Sequence, residues 1–156
     1  MKATKISSLE NKLNKIENYI SDFEKKNLKI SKATVGWHLD HSLKVINTVV
    51  SSMEKSDPNL YKDNFKFLGK LLLSLNFFPK GKAKAPKYVL PPDVVLKKEI
   101  ASQLKLAKEN INKIEKLDKN TYFKHPLFGN INKKRVLTFL NVHTNHHLKI
   151  IKNILK

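Results

Sequence analysis

The chain contains no cysteine, which excludes disulfides and thiolate metal sites, so any metal must be held by histidine and carboxylate. Arginine is almost absent: of 31 basic residues only Arg135 is not lysine. Acidic residues number 13, leaving a formal net charge of +18. Long apolar runs are also missing. None exceeds three residues, as in Leu71-Leu72-Leu73, far short of the ~20 residues of a membrane span. The opening stretch MKATKISSLENK is charged from the start, with no apolar segment of the signal-peptide kind behind it. Four glycines and six prolines leave most of the chain free of helix breakers. These absences predict a single domain over residues 1–156 in the cytoplasm, with no membrane partner.

A charge of +18 raises nucleic acid as a partner, because clustered basic residues neutralise phosphates and release counterions. The bidentate arginine fork that favours phosphate and base recognition is missing, however. The lysines are spread along the chain, and abundant Lys, Asn and Ile fit the codon usage of an AT-rich genome. A solvated, compositionally biased surface is therefore favoured over a nucleic-acid face.

Apolar spacing predicts four long helices. Ile6, Leu9, Leu13, Ile16, Ile20 and Phe23 step by threes and fours, the period of one buried helical stripe. Ser31 and Thr34 offer N-caps to a second helix through VGWHLDHSLKVINTVVSSM, which Asp57-Pro58 then ends. FKFLGKLLLSLNFF reads as a short helix packed across the others, and PKGKAKAPKYVLPP as an extended loop. Asp93 can cap a third long helix carrying Ile100, Leu104, Ala107, Ile111, Ile114 and Leu117. FKHPLFGNIN turns the chain, and Asn132 can cap the last helix. No segment alternates with period two. The expected fold is all-α, a four-helix bundle with one additional short helix and a long connection across it.

Histidine supplies the chemistry. NVHTNHHLKII holds three of the six histidines. On the last helix His143 and His147 lie one turn apart on the buried face with Val136, Leu140 and Ile151, and His146 falls at its edge. Two imidazoles at this spacing can share a cation, or can be neutral and hydrogen-bonded in a core. His38 and His41 on the second helix offer a third ligand, since bundle cores build metal sites from facing helices. Periodicity leans slightly to His38 without deciding between them. Three protein ligands with open positions is the catalytic pattern.

Two motifs sharpen this reading. TVGWHLDHSLKVI resembles the early motif of the DinB-like (YfiT-like) four-helix-bundle metalloproteins, and HPLFGNINKKRVLTFLNVHTNHHLKI is similar to the C-terminal signature of a subgroup of that superfamily. The likeness covers about 40 residues, in the family's order and separation. It implies an up-and-down bundle and a metal triad of His41, His143 and His147, with Val35, Gly36 and Leu39 fixing the register on His41. It also implies a divalent cation, zinc or nickel, with exchangeable water, and a homodimer. Relatives of this kind include thiol S-transferases, isomerases and suspected hydrolases. The sequence departs from the pattern at Ala33, Trp37 and His146, where the family carries Trp, a polar residue, and often Asp.

A transferase or hydrolase acting on a small molecule, anionic or a thiol, is the expected function. The rival is a non-catalytic basic module that binds a partner or nucleic acid, with structural histidines. His38 and His146 are expected to stand behind the ligands as second-layer groups or proton carriers. Asp40 is expected to be a solvated charge, Trp37 to pack in the core, and His125-Pro126 to shape the turn before the last helix. Lys80, Lys82, Lys84 and Lys87 form either a cationic mouth for an anionic substrate or a solvated loop.

Overall fold

The computed structural model describes residues 4–156; the first three residues of the expected 1–156 domain lie outside the described portion. Within it the chain forms five α-helices and one two-stranded sheet. Helix α1 (Lys5–Tyr19) starts at Thr4, whose hydroxyl accepts from the Ser7 N–H at 3.1 Å, and its buried residues are Ile6, Leu9, Leu13 and Ile16. Helix α2 (Val35–Lys55) is capped by Thr34 through the Trp37 N–H. A short turn at Pro58–Leu60 follows, then α3 (Phe67–Ser74), α4 (Lys97–Lys113) and α5 (Lys133–Ile154).

The four long helices share one buried cluster, with α1 against α4 and α5, and α2 against the same two. Leu9, Leu13, Leu39, Ile46, Ile111 and Leu140 are sealed from solvent. Polar residues stitch the helix pairs. Asn47 donates to the Gln103 carbonyl at 3.1 Å and accepts from Asn110 at 3.0 Å, joining α2 to α4. Asn141 accepts from Lys12 and donates to the Lys5 carbonyl, both at 2.8 Å, joining α5 to α1. None of the helices is long and apolar enough to cross a membrane.

Two capping expectations need correction, and one small element joins the helices. The fold is mostly helical, and FKHPLFGNIN contains an antiparallel hairpin, β1 (Tyr122–His125) and β2 (Gly129–Asn132), with Tyr122 opposite Asn132 and His125 opposite Gly129. Strands of four residues are too short for alternation to declare them. Partners distant in sequence hold this hairpin, since Ser56 Oγ accepts the Tyr122 N–H at 3.0 Å and Asn64 Oδ1 the Asn130 N–H at 2.7 Å. Gly129 sits at φ +79°, open to glycine without steric cost. Asp93 does not cap α4, which begins four residues later with Leu96 at its N-cap position. Asn132 does occupy the N-cap position of α5, but its side chain makes no capping hydrogen bond.

Candidate metal centre

Helix α2 meets α5 around imidazoles. His143 and His147 stand one turn apart on α5 with ring centroids 4.7 Å apart, and His41 comes across from α2 to 5.2 Å from His143 and 4.8 Å from His147. Each offers one nitrogen, and the three nitrogens lie within 4.8 Å of one another. A tetrahedral zinc ion holds its nitrogens ~3.3 Å apart, so small side-chain rotations separate this arrangement from a closed site. His38, towards which periodicity leaned, is not part of the trio. It sits behind His147.

Hydrogen bonds orient the rings. His41 Nδ1 meets the Val89 carbonyl at 2.9 Å; only an N–H can do so, which leaves Nε2 with its lone pair. His147 Nδ1 lies 3.0 Å from His38 Nδ1, and His38 Nε2 lies 3.0 Å from Ser31 Oγ. With His147 Nδ1–H donating to His38, and His38 Nε2–H donating to Ser31, His147 Nε2 is also free to ligate. Buried partners of this sort fix tautomer and ring orientation at metal sites. His143 Nδ1 is buried without a hydrogen-bond partner. An orphaned polar atom carries a desolvation penalty, which a cation bound through that nitrogen would relieve.

Burial sets the protonation states. It holds His143 and His147 well below the ordinary imidazole value, with the neighbouring histidines adding to the effect. His143 keeps some solvent access through the cleft, yet protein packs round its ring closely enough to disfavour charge. Burial also lowers His41, outweighing the Val89 carbonyl that favours the proton, and takes His38 down to about 4. Neutral imidazole is the form that ligates metal, and the donor set fits a borderline divalent ion.

The trio forms part of the wall of a cleft of about 770 Å³. Its apolar wall includes Leu72, Phe78, Phe123, Phe128 and Phe139, and its charged lining residues are Lys82, Lys84 and Lys124, with no carboxylate. Trp37 lines this cleft, stacked on His41 with centroids 5.1 Å apart, instead of packing in the core as expected. The segment that follows α3 borders the trio through Phe78, 6.4 Å from the His143 ring, and through the Val89 carbonyl. His146 also lines the cleft, half-buried beside His147 and close to the Phe78 ring, at 6.5 Å between centroids. Of the four loop lysines, Lys82 and Lys84 reach the cleft, and Lys80 donates to the Ile30 carbonyl.

Asp40 is not a solvated charge. Only 1% exposed, it pairs with Lys44 at 2.8 Å and accepts from Gln103 Nε2 at 2.7 Å, tying α2 to α4 away from the cleft. His125 shapes the turn as expected, since Nδ1 accepts the N–H groups of Leu127 and Phe128 at 3.1 and 3.2 Å. Sequence reasoning missed the Val89 carbonyl and the aromatic wall. The Phe77-Phe78 pair carried a signal for the wall; nothing in the sequence marked the carbonyl. No family model, curated protein or solved structure matches the chain, so the reading of this centre rests on its own residues and geometry.

Proposed function

We propose that the protein is a divalent-metal-dependent enzyme of transferase or hydrolase type, acting on a small molecule in the cytoplasm. In this reading the helices form a DinB-like, up-and-down four-helix bundle with a long crossover between α2 and α4, and the chain pairs as a homodimer. One observation carries the proposal: three neutral imidazoles, two buried and one half-buried, converge on the wall of an accessible cleft, with the tautomer of His41 set by the Val89 carbonyl. A structural site closes four protein ligands around its ion, whereas three leave a position for substrate.

His41, His143 and His147 would hold the ion, zinc or nickel. Such an ion supplies Lewis-acid polarisation and makes water or a thiol acidic enough to attack near neutral pH. His38 positions His147, and Val89 positions His41. With no carboxylate lining the cleft, His146 is the imidazole outside the trio placed to accept a proton, and Lys82 and Lys84 draw an anionic or thiolate substrate inward.

Elemental analysis of purified protein after zinc or nickel supplementation tests the reading. One tightly held divalent ion per chain is expected, lost on His143→Ala while the helical spectrum persists; a thiol-transfer screen then addresses the reaction. Protein that takes up no divalent ion overturns the proposal and leaves the basic interaction module, recognised by nucleic-acid binding that weakens steeply with salt. A His143→Ala protein with unchanged metal affinity overturns the site assignment.

A further inference from the structure

Helix α3 reverses the usual arrangement of a surface helix. Its one buried residue is Gly69, where a Cβ would come within 2.7 Å of the Phe65 ring and 3.0 Å of Phe128 Cβ. With the half-buried Leu72 and Leu73 packing on the core at either side of Gly69, the helix backbone comes close to the protein there. At 100° per residue Phe67, Leu68, Leu71 and Leu75 share an arc of about 100° on the side away from Gly69. That arc faces out, with Phe67 76% and Leu75 60% exposed. Phe77 on the following segment is also exposed, at 53%, as is Tyr88, at 65%, which shares the cleft lining with Leu68. Contiguous exposed apolar surface of this kind marks an interaction site.

Charge identifies what covers it. From residue 64 to residue 92 the chain has six lysines, Lys66, Lys70, Lys80, Lys82, Lys84 and Lys87, all exposed, and no aspartate or glutamate. A second copy docked about a two-fold axis would set these lysines against their own equivalents, with no carboxylate in the segment to offset the repulsion. Nucleic acid would satisfy the lysines and stack on Phe67, but would leave Leu68, Leu71 and Leu75 without a partner. An anionic bilayer satisfies both, taking the apolar side chains into the boundary between headgroups and acyl chains while the lysines meet the headgroups.

We propose that the face formed by α3 and the lysine-rich segment after it docks the protein on an anionic lipid membrane. The lack of a membrane-crossing helix does not bear on this, because an interfacial helix lies in the plane of the surface. Leu68, Lys82, Lys84 and Tyr88 belong both to this face and to the lining of the cleft, so docking brings the cleft mouth to the membrane. The docking does not depend on a bound metal.

Flotation of the full chain with two vesicle preparations tests the proposal, one of phosphatidylcholine alone and one of equal parts phosphatidylcholine and phosphatidylglycerol. The protein is expected to float with the mixed vesicles and not with phosphatidylcholine. The triple variant Phe67→Ser, Leu71→Ser, Leu75→Ser is expected to lose flotation with an unchanged helical spectrum, and Phe67→Ser alone to weaken it should the triple variant misfold. Lys66→Gln and Lys70→Gln should each lower affinity about fivefold, equivalent to ~1 kcal/mol per lysine. No flotation with mixed vesicles overturns the proposal, as does flotation that both apolar variants retain in full. Sedimentation showing a dimer that the triple variant dissociates, without vesicle binding, makes the face a self-association surface and overturns it equally.

Discussion

Replacing Gly36 by alanine sets two known effects against each other at the start of the helix that carries His38 and His41. Gly36 is the second residue of α2, and its N–H donates to the Phe23 carbonyl at 2.7 Å. A Cβ added there would stand 2.8 Å from that same oxygen and 3.3 Å from Phe23 Cβ and Cδ2. Carbon-to-oxygen contacts settle at ~3.3–3.6 Å, and the obstacle is backbone, which cannot rotate aside. Alanine should gain ~1 kcal/mol over glycine as a helix former. Against this stand the lost or stretched hydrogen bond, ~1 kcal/mol, and overpacking of ~1–3 kcal/mol. The steric side wins, and Gly36→Ala is expected to destabilise by about 1–3 kcal/mol. Urea unfolding reads this as a lower midpoint at unchanged slope. Zinc affinity should fall as well, since His41 sits little more than a turn further along the displaced helix. A variant as stable as the parent, or more so, would refute the argument by showing that propensity outweighs the Phe23 contact.

Two further substitutions probe the site and its surroundings. His38→Ala removes the partner of His147 Nδ1, so metal affinity should drop by roughly 10–100-fold with the fold intact. Trp37, the only tryptophan, stacks on His41, and its fluorescence reports the titration; unchanged affinity would exclude a positioning role for His38. His125 is held at about 4 by burial, against an ordinary 6.5. The unfolded chain therefore takes this proton first, so the stability is complete above about pH 6.5, is lost as pH falls towards 4, and changes no further below that. The gap amounts to about 3 kcal/mol. His125→Asn keeps an acceptor for the Leu127 and Phe128 N–H groups without titrating, and should flatten the loss between pH 7 and pH 4 by that amount in urea unfolding. An equal acid loss in both proteins would assign the sensitivity elsewhere.

Much of this architecture is legible in the sequence wherever a single helix decides the outcome. Ile6, Leu9, Leu13 and Ile16 are buried because a 3.6-residue period puts them on one stripe, and the same counting turns His143 and His147 inward together. It fails where a second element decides. His38 and His41 are about 60° apart on α2, and both are buried; only the position of α5 shows which completes the trio and which backs His147. Asp40 follows the rule that charges seek water until α4 supplies Gln103 beside it. Trp37 has the size of a core residue, and it walls a cleft because the proline-rich segment passes over α2 without filling the space beneath. The start of α4 slips past Asp93 because no local sequence fixes where the loop releases the chain.

The hydrogen bond between His41 and the Val89 carbonyl couples two events that are usually separate. Val89 belongs to the segment that borders the cleft, so any motion lifting that segment to widen the mouth also frees the His41 ring to turn and to exchange tautomer. Access for a substrate and retention of an ion would then share one barrier. The rate at which a chelator strips the ion should rise and fall with the rate at which the segment opens, as amide hydrogen exchange along residues 85–90 would record. Metal retention would then be a property of a loop's dwell time as much as of three imidazoles.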